Sequence, residues 1–450
     1  MRNPILYAIA LSLTGLASCL LTPDGLDDER DAALDAGAPY AKPHDERELP
    51  ALPEPATDRD LLRRAFLANG GVEASWHAWR AALAEVEVAS AWPSGMFEVE
   101  VERAFQGGSS GFDQTSVLAM FDPLLEWPSK PKARGEAALA EARAARERFR
   151  AAALALRADV LASAARLRAR QAEVSLRGEQ QALYDLEASL AERSVATGGL
   201  QLDLARIQLE ARLSEDMLQR AVAETARERA TLNGLLDRAP RAKLDLAEGG
   251  TPRPWPGSED DLLVRLADAN PELRELAHSI EGGARKVDLA RQAYVPDVSP
   301  RVGFTGSMEQ FVGASIGLPA NLAAVRSEIE RTSAGLEELR AFARQRQAGL
   351  AAEITAEFVL LQDAERQSRL YTDEIGPLAD RFAASAGSAY ATGGATQRDW
   401  IESQRAALDA RLALAEARAA REEALVRIEA LAGIEIAELA GTEEVAREVQ

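Results

Sequence analysis

The chain has 450 residues, 47% hydrophobic and 28% charged, with only 11 Phe, 6 Tyr and 6 Trp, and a formal net charge of −20. An apolar fraction drawn from Ala and Leu suits long helices packed side by side and argues against a sandwich or a doubly wound α/β enzyme, while the acidic field repels phosphate backbones and excludes nucleic acid as a partner. His44, His77 and His278 lie far apart and Cys19 is the one cysteine, so neither a metal site nor a cofactor is expected, and without a phosphate-loop, zinc-protease or nucleophile-elbow motif no catalytic residues and no enzyme are expected.

The chain opens on Arg2 and an almost wholly apolar run, Ile5 to Leu16, followed by Leu16-Ala17-Ser18-Cys19. The run is too short to span a bilayer and has the form of an export signal over residues 1–18. Small residues before a cysteine resemble a bacterial lipobox, which makes Cys19 the candidate lipidation site, its acyl chains (palmitate among them) seated in outer-membrane lipid. An ordinary signal peptide with an incidental cysteine is the other reading. Leu20 follows, in place of the aspartate that resembles an inner-membrane retention signal. Residues 19–59 carry Pro, Asp, Glu and Gly without periodic apolar positions and read as a lipidated flexible tether.

From about residue 60 the pattern is helical. Phe149, Leu156, Val160, Leu167 and Val174 keep a coiled-coil spacing. The stretch from about 130 to 194 is proline-free after Pro131 and would run roughly 100 Å as one helix. Its counterpart, about 322 to 389, carries Pro377 as a candidate kink. The chain also repeats itself: Ala196-Thr197-Gly198-Gly199 returns as Ala391-Thr392-Gly393-Gly394, and Arg64-Ala65-Phe66-Leu67-Ala68-Asn69 parallels Arg265-Leu266-Ala267-Asp268-Ala269-Asn270. Paired glycines between long helices read as hairpin tips. This gives a first repeat over 60–238, a Pro-rich linker over 239–260, a second repeat over 261–437 and an acidic tail over 438–450.

Within each repeat the helical period gives way to alternation. Met96-Phe97-Glu98-Val99-Glu100-Val101-Glu102 alternates apolar and acidic residues, and a Gly-rich turn leads to a second run ending near Leu125. In the second repeat Val298, Pro300, Val302 and Phe304 share one face, then Val312, Ala314, Ile316 and Leu318. Hairpins at about 96–125 and about 297–318 have the strand length that crosses a bilayer at a tilt. An edge hairpin on a soluble domain is the alternative. Four strands cannot close a barrel, so a barrel needs strands from several chains.

Taken together, the two-fold repeat, Asn270-Pro271-Glu272-Leu273 opening a helix, Tyr294-Val295-Pro296 before a strand and Tyr390-Ala391-Thr392-Gly393 at a hairpin tip resemble the TolC-type outer-membrane factors over about 60–437. Phe97-Glu98-Val99-Glu100-Val101-Glu102 and the short second hairpin look most like the cobalt–zinc–cadmium efflux branch. The resemblance implies a mainly α fold with a small transmembrane β part. Long coiled-coil hairpins would form the two-fold repeat, with four strands per chain in a twelve-stranded barrel of a homotrimer. It implies an outer-membrane exit duct reaching into the periplasm, served by a periplasmic adaptor and an inner-membrane pump. A periplasmic coiled-coil adaptor or scaffold lipoprotein without a pore is the competing expectation.

Matched residue by residue, the resemblance puts Asp399 and Glu402 at the periplasmic entrance, as stacked acidic rings that would raise one another's pKa and select cations. Both also fit a plainer reading: Asp399 as a helix N-terminal acid, and Glu402 as an ion partner of Arg398 or Arg405. Tyr390 and Asp203 match a polar latch that keeps the entrance shut, whereas Ala395 stands where the latch arginine belongs. Gly198, Gly199, Gly393 and Gly394 would meet the adaptor, and Glu98, Glu100 and Glu102 would face the barrel lumen, with Trp92 and Trp127 bracketing the first hairpin.

Overall fold

A computed structural model describes residues 21–93, 96–104, 114–122, 125–196, 201–249, 259–305 and 310–433. Cys19, Gly198, Gly199, the export signal and the acidic tail lie outside the described residues. The elements run α1 (Leu26–Ala36), α2 (Asp58–Ala68), α3 (Gly70–Ser90), β1 (Met96–Ala104), β2 (Gln114–Asp122), α4 (Ser129–Ala196) and α5 (Gln201–Leu235). Then follow α6 (Glu259–Ala269), α7 (Pro271–Gln292), β3 (Asp297–Thr305), β4 (Gln310–Gly317), α8 (Leu322–Leu370), α9 (Gly376–Ala391) and α10 (Gln397–Ala432). From α2 onward the order helix, helix, strand pair, long helix, returning helix occurs twice.

The chain divides into two compact units. The first comprises Met1–Ala38, Ala74–Phe149 and Pro271–Arg346. Here Trp76, Trp79, Leu83 and Val86 of α3 are buried, as are Leu139, Ala140 and Ala144 of α4 and Leu273, Leu276 and Val287 of α7. Trp79 stacks on Phe149 with ring centroids 6.0 Å apart. Small residues let the backbones of α4 and α7 approach: a Cβ added at Gly282 would touch the Ala137 carbonyl and the Ala140 methyl, both at 3.4 Å. Glu147 is fully buried yet ion-paired, 3.2 Å from Arg146 and 3.3 Å from Arg274.

The sheet of this unit is antiparallel throughout, in the order β1-β2-β3-β4. Its register aligns Phe97↔Phe121, Phe121↔Val302 and Val302↔Val312, and likewise Val99↔Ala119 and Ala119↔Phe304. Directly opposed residues share a face. One face therefore collects positions 97, 99, 101, 117, 119, 121, 298, 300, 302, 304, 312, 314 and 316, all of them apolar residues, and is joined towards the strand ends by Arg103, Thr115 and Gln310. The other collects Glu98, Glu100, Glu102, Ser116, Ser299, Arg301, Gly303 and Ser315, with Leu118, Met120 and Phe311 among them. β4 stops at Gly317, so Leu318 falls just past the strand.

The second unit comprises Pro39–Glu73, Arg150–Asn270 and Gln347–Gln450. Its core includes Phe358 and Leu361 of α8 packed with Ala424, Leu425 and Ile428 of α10, covered by Leu262 of α6. A second cluster joins Ala158 and Ala162 of α4 to Val426 of α10. Arg157 and Glu429 pair beside it, both nearly buried. Between α8 and α9 the helix widens into a π turn, Tyr371–Ile375, in which the Gly376 amide donates to the Tyr371 carbonyl. Pro377 follows, and a residue without an N–H cannot continue the ordinary ladder.

One sequence expectation is corrected. Much of 19–59 is packed chain, not a flexible tether. In the first unit α1 buries Leu26, Glu29 and Ala33, Arg146 holds Glu29 at 2.6 Å, and the Trp76 indole donates to the Ala33 carbonyl at 2.8 Å. In the second unit buried Tyr40 donates to the Phe66 carbonyl at 3.0 Å and Arg47 pairs with Glu73. The backbone of Ala56 bonds to Asp245 and Ala247 at 2.9 and 2.8 Å, which also docks the described part of the linker. A few anchors and buried ion pairs hold this segment, and neither leaves a periodic apolar pattern.

Candidate functional site

The second hairpin tip is built by complementary helix ends. Helix α9 finishes in a Schellman-type turn: the Gly394 amide donates to the Ala389 carbonyl at 2.8 Å and the Gly393 amide to Tyr390 at 3.1 Å. Gly393 takes φ +77°, a conformation that costs glycine nothing. Three residues later Thr396 caps α10 in a capping box with Asp399. The Asp399 carboxylate accepts from the Thr396 hydroxyl at 2.6 Å and from its amide at 2.9 Å. These hydrogen bonds, helped by Arg398, hold the Asp399 carboxyl below the usual carboxylate range. Within one chain Asp399 is thus a helix-capping acid that stays ionised.

Tyr390 lies against its own hairpin. Its ring stacks on Trp400, centroids 5.5 Å apart and planes 5° from parallel, and it remains 41% exposed. Asp203 is exposed in the first turn of α5. No hydrogen bond joins Tyr390 to Asp203 among the described residues. Gly394 and Ala395 complete the turn, and the matching first tip, with Gly198 and Gly199, is not among the described residues.

Glu402 is exposed, and the arginine three residues on turns elsewhere. Arg405 reaches Glu187 of α4 at 2.6 Å and Glu210 of α5 at 3.4 Å. Its guanidinium carbon sits 3.9 Å from the centroid of the Tyr184 ring. Burial pushes the Tyr184 phenol up, Arg405 opposes that, and Glu210 and Glu187 reinforce it. Sequence reasoning missed this node, because the spacing offered Glu402 as the partner of Arg405.

At the sheet, Glu98 and Glu100 are exposed, and Glu102 pairs with Ser116 in the register. Where strands meet helices, Lys130 holds Asp297 at 2.7 Å and donates to the Val295 carbonyl at 2.8 Å. The Trp92 indole donates to the Glu126 carbonyl at 2.9 Å, while Trp127 is exposed. A further feature was not foreseen. On α5, Leu202, Leu209, Leu213 and Met217 form an exposed stripe at helical spacing, Leu202 reaching 77% exposure. Leu378 and Phe382 of α9 are exposed likewise. Among the described residues no cluster of side chains could hold a metal ion, and no helix is long and apolar enough to cross a membrane.

No protein-family model matches the chain, and no curated protein does. Solved structures do match. The outer-membrane channel OprN is 19% identical, with a TM-score of 0.70 over 84% of this chain and 89% of that one. The Campylobacter jejuni CmeC outer membrane channel is 13% identical, with a TM-score of 0.74 over 86% and 89%. The open state of the Neisseria gonorrhoeae MtrE outer membrane channel is 14% identical, with a TM-score of 0.70 over 84% and 88%. The chain has the fold of these TolC-like outer-membrane channels, and no metal-efflux branch is singled out among them.

Proposed function

We propose that this chain is the outer-membrane exit duct of a tripartite efflux or type I export system, a passive gated channel rather than a catalyst. The observation that carries the reading is the sheet register. One face is apolar through the middle of all four strands, with Arg103, Thr115 and Gln310 only towards the strand ends, the other bears Glu98, Glu100 and Glu102, and among the described residues β1 and β4 each pair on one side only. An apolar face suits lipid, an acidic face suits a wet lumen, and open edges must pair with other copies, since lipid offers backbone groups no partner. Three chains would give twelve strands. The exposed α5 stripe supplies a surface for the same association.

In this reading Cys19 carries the lipid anchor, and Asp399 and Glu402 line the periplasmic entrance, one set from each chain. Tyr390 and Asp203 latch the entrance, and the tips Gly198, Gly199, Gly393 and Gly394 meet the hairpins of a periplasmic adaptor coupled to an inner-membrane pump. A passive duct sees whatever the pump delivers, so the substrate is set by those partners. A deletion strain challenged with zinc, cobalt, copper, dyes and detergents assigns it, and sensitivity to organic compounds alone removes the heavy-metal branch. The competing adaptor or scaffold reading gives a four-stranded sheet with one mostly apolar face no role. The test is fractionation: heat-stable trimers in outer-membrane fractions are expected, and monomers released by high salt would sink the duct.

A further inference from the structure

At the second hairpin tip the contacts of Tyr390 and Asp399 run within one hairpin: Tyr390 to Trp400, and Thr396 to Asp399. Arg405 is different. It leaves α10 two turns from Asp399 and enters a site made by the other hairpin, with Glu187 and Tyr184 on α4 and Glu210 on α5. The arginine side chain is 21% exposed and Glu187 11%, so the pair is shielded from most of the screening that makes surface ion pairs nearly worthless. The flat guanidinium uses its two ends on two carboxylates and its face on an aromatic ring, which lysine cannot do. Its Nε is buried without a hydrogen-bond partner, so the site is bought by the two carboxylates and the ring, and it weakens if any of them is withdrawn.

We propose that Arg405 is the clasp of the periplasmic gate, holding α10 against α4 and α5 in the resting state and letting go when the second hairpin swings out. The inference rests on the duct reading. It also accounts for Ala395: a chain without an arginine at the tip keeps its entrance shut from two turns further along α10. Arg405 is a positioning residue in this scheme, setting where α10 lies and so how far Asp399 and Glu402 stand from their copies. Behind the π turn at Tyr371–Ile375, the α9–α10 hairpin is the segment it restrains.

The test uses the purified full-length protein in planar lipid bilayers. Arg405→Ala is expected to raise resting single-channel conductance several-fold, and Arg405→Lys to fall between it and the wild type. Glu187→Gln is expected to mimic Arg405→Ala and to add little to it in the double variant. Where Arg405→Ala fails to assemble, the charge-reversed pair Arg405→Glu with Glu187→Arg decides: conductance nearer to wild type than Arg405→Glu alone supports the clasp. Wild-type conductance from assembled Arg405→Ala, or no rescue by the reversed pair, overturns it. A wild-type protein that opens no channel at all overturns the duct reading itself, and is told apart because it fails before any variant is compared.

Discussion

The rings of Tyr390 and Trp400 lie 5.5 Å apart and 5° from parallel, so the tyrosine at the tip braces α9 against α10 before it does anything else. A stacked aromatic pair of this kind is worth about 0.5–1.5 kcal/mol beyond its buried area. Trp400→Ala is expected to speed amide exchange in the turn between α9 and α10, while Tyr390→Phe, which keeps the stack, leaves exchange unchanged. Equal effects from both variants would mean that the phenol, not the ring, holds the tip.

Asp399 makes the first turn of α10 pH-dependent in a definite direction. Its folded pKa is depressed by the Thr396 hydrogen bonds, so its contribution is complete above the ordinary carboxylate range, near pH 4, and fades as pH falls through the lower folded value. Protection of the α10 N-terminus is expected to be flat from pH 7 to about pH 5 and to drop only in stronger acid. Asp399→Asn should abolish that acid step. In an assembled entrance, repulsion among three copies would act against the depression, and an acid step at higher pH in trimers than in dissociated chains would register it.

Gly37 tests whether the N-terminal segment is docked. A Cβ there would lie 2.1 Å from the Trp76 ring, far inside contact distance, and the same ring carries the hydrogen bond to Ala33. Gly37→Ala is expected to cost about 1–3 kcal/mol by overpacking and to open residues 21–50 to protease. Unchanged cleavage would return this stretch to a tether.

The difference between what was legible and what was not follows from range. Alternation over Phe97–Glu102 and over Val298–Phe304 is a local signal, and the register then extended it across the sheet. Long helices were legible because Ala, Leu, Arg and Glu all favour them. Docking of α1 was not, since Glu29 finds Arg146 more than a hundred residues away. Arg405 is the sharper case: its carboxylate partners lie 218 and 195 residues earlier, and helical spacing points only at neighbours three or four residues off. Pro377 announced a disturbance, but not that it would take the form of a π turn before it.

The α5 stripe gives a test of association. Burying a leucine is worth about 1.5–3 kcal/mol, and Leu209 and Leu213 sit one turn apart, both more than half exposed in the chain alone. Leu209→Glu with Leu213→Glu is expected to shift the detergent-extracted protein from trimer to monomer in light scattering, with helix content retained. A double variant that stays trimeric would move the interface off this face.

Electron microscopy of the detergent-extracted full-length protein tests the central claim most directly. The duct account predicts a three-fold, hollow particle closed in the membrane by a barrel of strands from all three chains. A monomer, or a solid rod without a lumen, would contradict it and take with it the barrel, the entrance acids Asp399 and Glu402, and the Arg405 clasp.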